Sequence, residues 1–131
     1  MSDFHSIIGS VREFHSTFGL DYQEIPSATL DEKTIALRHR LMAEENDEYL
    51  EAAMNGDLVQ VADALGDKLY ILCGTILAHG LQHKIVEVFE EIHRSNMSKL
   101  DSDGNPIYRE DGKIMKSELY FLPDIASVLE R

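Results

Sequence analysis

Glu44, Glu45 and Glu48 form an E-E-x-x-E string, and further along the chain Asp63 and Asp67 frame the segment D-A-L-G-D. A helix turns by ~100° per residue, so on a helix Glu44 and Glu48 share a face, Glu45 flanks it, and Asp63 and Asp67 share another. Like charges so placed repel by roughly a few tenths of a kcal/mol, a cost that a hard cation removes. A solvated acidic stripe accounts for Asp47 and Glu51. It accounts less well for Asp63 and Asp67, which lie between Val59, Val61 and Leu65 on one side and Leu69, Ile71 and Leu72 on the other. A carboxylate in an apolar segment is unfavourable unless paired or metal-bound. With neither thiolate nor imidazole in the set, the donors are all oxygen, which favours Mg²⁺, with Mn²⁺ as a substitute. Mg²⁺ keeps waters and takes substrate phosphates as ligands, so the chemistry indicated is phosphoryl chemistry. Asn96, Lys99, Lys113 and Lys116 are the candidates to hold a phosphate tail.

For these groups to meet, two helices must be joined by a short turn. Asn55-Gly56-Asp57 supplies it, with about eight residues from Glu48 to the turn and about seven from the turn to Asp63. Equal arms of an antiparallel helical hairpin bring their ends level. The second helix is expected from Thr29 or Leu30 to about Asn55, with Thr29 as cap and Glu32 completing a capping box. The third is expected from about Asp57 to His79. Its stretch LYILCGTILA is apolar all round, as in a central buried helix, and Gly74 within it is expected to mark a close helix crossing. A first helix over 4–18 carries Phe4, Ile7, Ile8, Val11, Phe14 and Phe18 at helical spacing and stops at Gly19. A fourth runs from about Gln82 to Lys99, with Ile85, Val88, Phe89, Ile92 and Met97 expected inward. Beyond Leu100, two Asp-Gly pairs and two prolines indicate turns, short extended segments near Ile107–Tyr108 and Lys113–Met115 paired as a small hairpin, and a final helix from about Pro123 to Leu129. The expected fold is all-α: one domain over 1–131, a four-helix bundle (about 3–99) with an irregular C-terminal arm (about 100–131) and a short final helix.

The composition narrows the partners. The chain has 131 residues and a net charge of −12, a poor match for phosphate backbones or anionic membranes. The charge is uneven: Asp21 to Asp67 holds twelve acidic and three basic residues, whereas Arg94 to Lys116 holds five basic and four acidic. Cys73 is the single cysteine, so no intrachain disulfide can form and a reducing compartment is expected. No apolar run approaches the ~20 residues of a membrane span, and the N-terminus lacks the pattern of a signal peptide. The expectation is a cytoplasmic protein that binds neither nucleic acid nor membrane.

The ordered series of motifs resembles the all-α NTP pyrophosphohydrolase superfamily of MazG-like enzymes, dimeric dUTPases and phosphoribosyl-ATP pyrophosphohydrolase. It is most similar to the phosphoribosyl-ATP pyrophosphohydrolase-like (Cof-like) branch of bacteria and phages. The resemblance is carried by Phe14-His15-Ser16-Thr17-Phe18-Gly19, by Arg38-x-x-Leu41-x-x-Glu44-Glu45 with Glu48, and by D-A-L-G-D-x-x-Y. It continues through residues 88–99 (VFEEIHRSNMSK), Asp103-Gly104-Asn105-Pro106-Ile107 and Asp111-Gly112-Lys113-Ile114-Met115-Lys116. It implies Mg²⁺-dependent cleavage of a (d)NTP between the α and β phosphates, and a homodimer or dimer of dimers. It further implies Glu45, Glu48 and Asp67 as metal ligands and Glu44 as the residue that orients or deprotonates the attacking water, with Glu44 and Glu45 able to exchange these roles. Asn96, Lys99, Lys113, Lys116 and Tyr120 are implied as nucleotide or phosphate contacts. One departure stands out: the superfamily's E-x-x-D would place Glu at position 64, where this chain has Ala64. Asp63, ~100° around the helix, is the nearest substitute oxygen donor.

Other readings are weaker. A non-catalytic helical module that binds a nucleotide or a protein is kept open by Ala64. Glu90-x-x-His93 has the spacing of a di-iron bundle but lacks a second such pair. His5, His15, His39, His79 and His83 form no ligand spacing with one another, and Cys73 reads as a packing residue.

Overall fold

The computed structural model describes residues 3–131. The chain resolves into two compact units, one extending through His83 and the other spanning Lys84–Arg131.

The first unit contains α1 (Phe4–Thr17), α2 (Glu32–Met54) and α3 (Leu58–Ala78). α3 packs against both α1 and α2. Asp3 caps α1 by accepting a hydrogen bond from the Ser6 N–H (2.8 Å). The cap of α2 is Asp31, not Thr29: its carboxylate accepts from the Thr34 N–H at 2.7 Å, and the helix starts at Glu32. Aspartate is the stronger cap, and it takes the end of the helix from the threonine two residues earlier. Gly56 makes the reversal between α2 and α3 with a φ of 64°, a conformation that favours glycine. Asp57 then caps α3 through the Gln60 N–H. Cross-contacts from Lys68 to Asn46 and from Arg38 to Thr75 show that α2 and α3 run antiparallel. The loop between α1 and α2 is tied to the C-terminal end of α3. Gln23 donates to the Ala78 carbonyl (2.9 Å), Gln82 donates to the Gln23 carbonyl (2.7 Å), and His79 Nδ1 lies 2.8 Å from the Ser27 carbonyl.

The core of this unit holds Ile8, Val11, Ala64, Cys73, Ile76 and Leu77. α3 is not buried all round, as its composition suggests. Near its C-terminal end Cys73, Gly74, Ile76, Leu77 and Ala78 are buried, whereas Leu65, Leu69 and Leu72 remain 50, 38 and 42 % exposed. Within this unit α1 and α2 cover two sectors of α3, so an all-apolar circumference leaves a sector open. α2 buries only Ala52 fully, while Tyr49, Leu50 and Met54 are exposed.

The second unit contains α4 (Ile85–Met97), the two-stranded hairpin β1 (Ile107–Tyr108) and β2 (Ile114–Met115), and α5 (Ile125–Glu130). The strands pair antiparallel, Ile107 with Met115 and Tyr108 with Ile114, as the Asp-Gly turn demands. α4 differs from its apolar pattern: Phe89, Ile92 and Met97 are exposed, and Glu91 and Ser95 are its buried residues. The cause is polar. Ser95 Oγ donates to the Phe121 carbonyl (2.7 Å), and Glu91 accepts from the Asp124 N–H (2.7 Å) while holding Arg94 at 2.9 and 3.1 Å. Asp124 caps α5 through the Ser127 N–H, which sets its start at Ile125 rather than at Pro123. Among the described residues, no helix is long and apolar enough to cross a membrane.

Candidate metal centre

The turn at Gly56 folds α3 back along α2, so that Glu45 and Glu48 of α2 come level with Asp67 of α3. One carboxylate oxygen from each lies within 4.8 Å of the other two. Glu48 and Asp67 are exposed and Glu45 is half-buried. The environment of Glu45 is the most informative. Its Oε2 is shut off from solvent and has no hydrogen-bond donor, a rare state for a buried oxygen. Desolvation, then a hydrogen bond with Glu48, then the charges of Glu48, Asp67 and Asp63 push its pKa up to about 7. An acceptor-only oxygen without a donor, beside two further carboxylates, fits a hard divalent cation: the ion supplies the missing partner and reverses the repulsion that raises the pKa.

The other candidates are placed as follows. Glu44 is exposed on the same helix and pairs with Arg40 at 3.7 Å. Asp63 is exposed and lies outside the group of three, though its charge reaches Glu45. It lines a cleft of about 400 Å³ toward the hairpin turn, together with Glu48, Glu51, Asn55 and Gln60. Ala64 lines the same cleft and is 2 % exposed. Asn96, Lys99, Lys113, Lys116 and Tyr120 all belong to the second unit. Asn96 and Lys99 fall at the end of α4, where the Asn96 carbonyl accepts from the Lys99 N–H (3.2 Å). Lys113 is fixed at the hairpin, its N–H donating to Asp111 Oδ1 at 3.0 Å, and the Lys116 ammonium sits 4.8 Å from the centre of the Tyr120 ring. Glu90 and His93 are both exposed, and His15 is the one buried histidine.

Two features near the centre are not readable from motif spacing. Lys68, next to Asp67, reaches the side chain of Asn46, next to Glu45, and ties the two helices at the level of the carboxylates. At Gly74 the nearest atoms to an added side chain belong to the Arg38 guanidinium of α2 and the His15 ring of α1.

Comparison with known proteins bears on what this acidic hairpin is. Residues 11–96, which run from the middle of α1 to the last turn of α4, match the family of phosphoribosyl-ATP pyrophosphohydrolase. The chain belongs to that family. A solved structure from Exiguobacterium sp. 255-15, described as a "putative NTP pyrophosphohydrolase", is similar over 100 % of this chain and 96 % of its own, with a TM-score of 0.51 and 26 % identity. No curated protein matches. The phosphoribosyl-ATP pyrophosphohydrolase family and the shared fold support a hydrolase of the NTP pyrophosphohydrolase type. They place the chain in the MazG-like all-α superfamily, and Glu45, Glu48 and Asp67 all lie within the matched span.

Proposed function

We propose that this protein is a Mg²⁺-dependent pyrophosphohydrolase that cleaves a (d)NTP between its α and β phosphates, giving a (d)NMP and pyrophosphate. The observation that carries the reading is the convergence of Glu45, Glu48 and Asp67 around an orphaned carboxylate oxygen, inside a span matching a pyrophosphohydrolase family.

In this reading Glu45, Glu48 and Asp67 hold the ion, with Asp63 as a further oxygen donor from the adjoining cleft. When bound, Mg²⁺ supplies Lewis-acid stabilisation of the charge that develops on the phosphates. Glu44, one residue outside the ligand group and exposed to solvent, orients a water and accepts its proton. The water oxygen bonds to the α-phosphorus, the bridging bond between the α-phosphorus and the β-phosphate oxygen breaks, and pyrophosphate leaves. Lys113 and Lys116 neutralise the phosphate tail, while Asn96, Lys99 and Tyr120 orient the nucleotide. Arg40, 3.7 Å from Glu44, helps to orient the Glu44 carboxylate.

The apolar sector left open on α3 at Leu65, Leu69 and Leu72, together with Tyr49 and Leu50 of α2, favours a second copy of the chain as its cover, in a homodimer or dimer of dimers. The single cysteine, Cys73, allows no intrachain disulfide, which suits a reducing cytoplasmic setting. A panel of dNTPs and NTPs incubated with Mg²⁺ and scored for pyrophosphate tests the activity and reveals the preferred base.

A further inference from the structure

The carboxylates of the candidate centre repel one another, and α2 has little apolar anchorage with which to resist, since Ala52 is its one fully buried residue. Something must hold its N-terminal half against α3. Arg38 lies seven residues before Glu45, about two turns along the same stripe. Its side chain lies against α3. Nε–H donates to Thr75 Oγ1 at 3.0 Å and Nη2–H donates to the Ile71 carbonyl at 2.7 Å, while Thr75 Oγ1–H donates to the same carbonyl at 3.0 Å. Ile71 and Thr75 lie four and eight residues beyond Asp67, on the stripe of α3 that carries it. The guanidinium therefore links the two rows of residues from which the carboxylates project.

The seat for this group is specific. A Cβ at Gly74 would lie 2.5 Å from Arg38 Nη2, 3.2 Å from its Cζ and 3.0 Å from His15 Nε2. A side chain there would push on Nη2, the atom that bonds the Ile71 carbonyl at 2.7 Å. His15 of α1, 4 % exposed, closes the third side. Burial, partly opposed by the Asp21 backbone, lowers its pKa, and the Arg38 charge lowers it further. Arg38 itself forms no ion pair among the described residues. It is half-buried and its acceptors are neutral, which gives it the role of a cross-helix fastener rather than a partner to an acid.

We propose that Arg38, seated on Gly74, is the positioning residue that sets the register of α2 against α3 and so holds Glu45 and Glu48 level with Asp67 for one cation. The proposal rests on the metal-site reading above and adds to it a pair of residues that touch neither metal nor substrate. Residues that hydrogen-bond a metal ligand cost about 10–100-fold in metal affinity when removed; Arg38 acts one step further out, through the helix register, so the lower end of that range is expected.

The test is a double-mutant cycle on the full chain, read by Mn²⁺ binding in calorimetry or electron paramagnetic resonance at a temperature where circular dichroism shows every variant fully helical. Arg38→Met and Gly74→Ala should each weaken Mn²⁺ about tenfold or more, and Arg38→Lys, which keeps the charge but cannot make both bonds, should recover only part. In the Arg38→Met background Gly74→Ala should weaken Mn²⁺ by less than about twofold, because the 2.5 Å clash with Nη2 is gone and only the 3.0 Å approach to His15 Nε2 remains. Should Arg38→Met fail to fold, Arg38→Lys takes its place in the cycle. Wild-type Mn²⁺ affinity in the folded Arg38 variants, or equal losses from Gly74→Ala in both backgrounds, overturns the positioning role while leaving the metal site in place. A wild-type chain that binds no Mn²⁺ overturns the metal-site reading and the positioning role with it.

Discussion

Glu45 and Asp67, twenty-two residues apart in sequence and on different helices, bring carboxylate oxygens to within 4.8 Å of each other with Glu48 as the third member. Desolvation and the repulsion of its neighbours push the Glu45 pKa up to about 7. Metal binding, proton uptake and stability are therefore coupled at one point of the α2–α3 hairpin.

Removing one ligand should abolish turnover without unfolding the chain. Glu48 is exposed and makes no packing contribution to the core, so Glu48→Gln is expected to leave the helical circular dichroism intact and to lower pyrophosphate release about a hundredfold or more. Steady-state assay at saturating Mg²⁺ checks this, and near-wild-type turnover would remove Glu48 from the ligand set.

The metal-free protein should lose stability as pH rises through about 7. The folded-state pKa of Glu45 is raised from the ordinary 4.5 to about 7, so between these values the native state binds more protons than the unfolded chain. Stability then falls with increasing pH across that window, and above it the native state bears the full cost of the ionised cluster. Urea midpoints at pH 5.5 and 8 should show the drop in wild type, a smaller one in Glu45→Gln, and its reversal when Mn²⁺ is added at pH 8. A wild-type midpoint that does not move between the two pH values would deny the raised pKa.

How much of this was legible in the sequence depended on the kind of signal. The E-E-x-x-E string, the acidic pair and the turn at Gly56 are local patterns, and the helical hairpin they announce is the one found. Thr29 and Asp31 are both competent caps for α2, and only their actual geometry decides for Asp31. The apolar pattern of α4 pointed inward at Phe89 and Ile92, yet Glu91 and Ser95 are buried, since the backbone of Phe121 and Asp124 offers them partners that periodicity cannot register. Gly74 was visible as an anomaly in an apolar helix. Its neighbour, a guanidinium from thirty-six residues earlier, was not, because no local rule links the two.

Substrate contacts should separate binding from chemistry. Lys113 is held by its own hairpin, with its N–H on Asp111, so its side chain can change without loss of the turn. Lys113→Ala is expected to raise KM more than it lowers kcat, by about tenfold against less than threefold if it neutralises one phosphate. An unchanged KM would take Lys113 out of the phosphate site.

Glu91 should prove structural in spite of its charge. Its carboxylate joins Arg94 to the Asp124 N–H, and these bonds hold its pKa below the usual range. Glu91→Ala should free the segment before α5 and make the backbone near Phe121–Asp124 cleave faster under limited proteolysis. Digestion at the wild-type rate would show that Ser95 alone anchors it.

The open apolar sector should hold a second subunit. Leu65→Asp is expected to weaken self-association about tenfold or more, seen by sedimentation velocity as a shift toward the monomer. Wild type sedimenting as a monomer at micromolar concentration would leave that sector without the proposed cover.

Phosphorus NMR of a dNTP panel, run with and without Mg²⁺, decides whether the chain is a metal-dependent pyrophosphohydrolase. At least one nucleotide should yield its monophosphate and pyrophosphate in equal amounts, only with the metal, and not with Asp67→Asn. Release of inorganic phosphate and a diphosphate, or pyrophosphate formed equally well by Asp67→Asn, would contradict that activity.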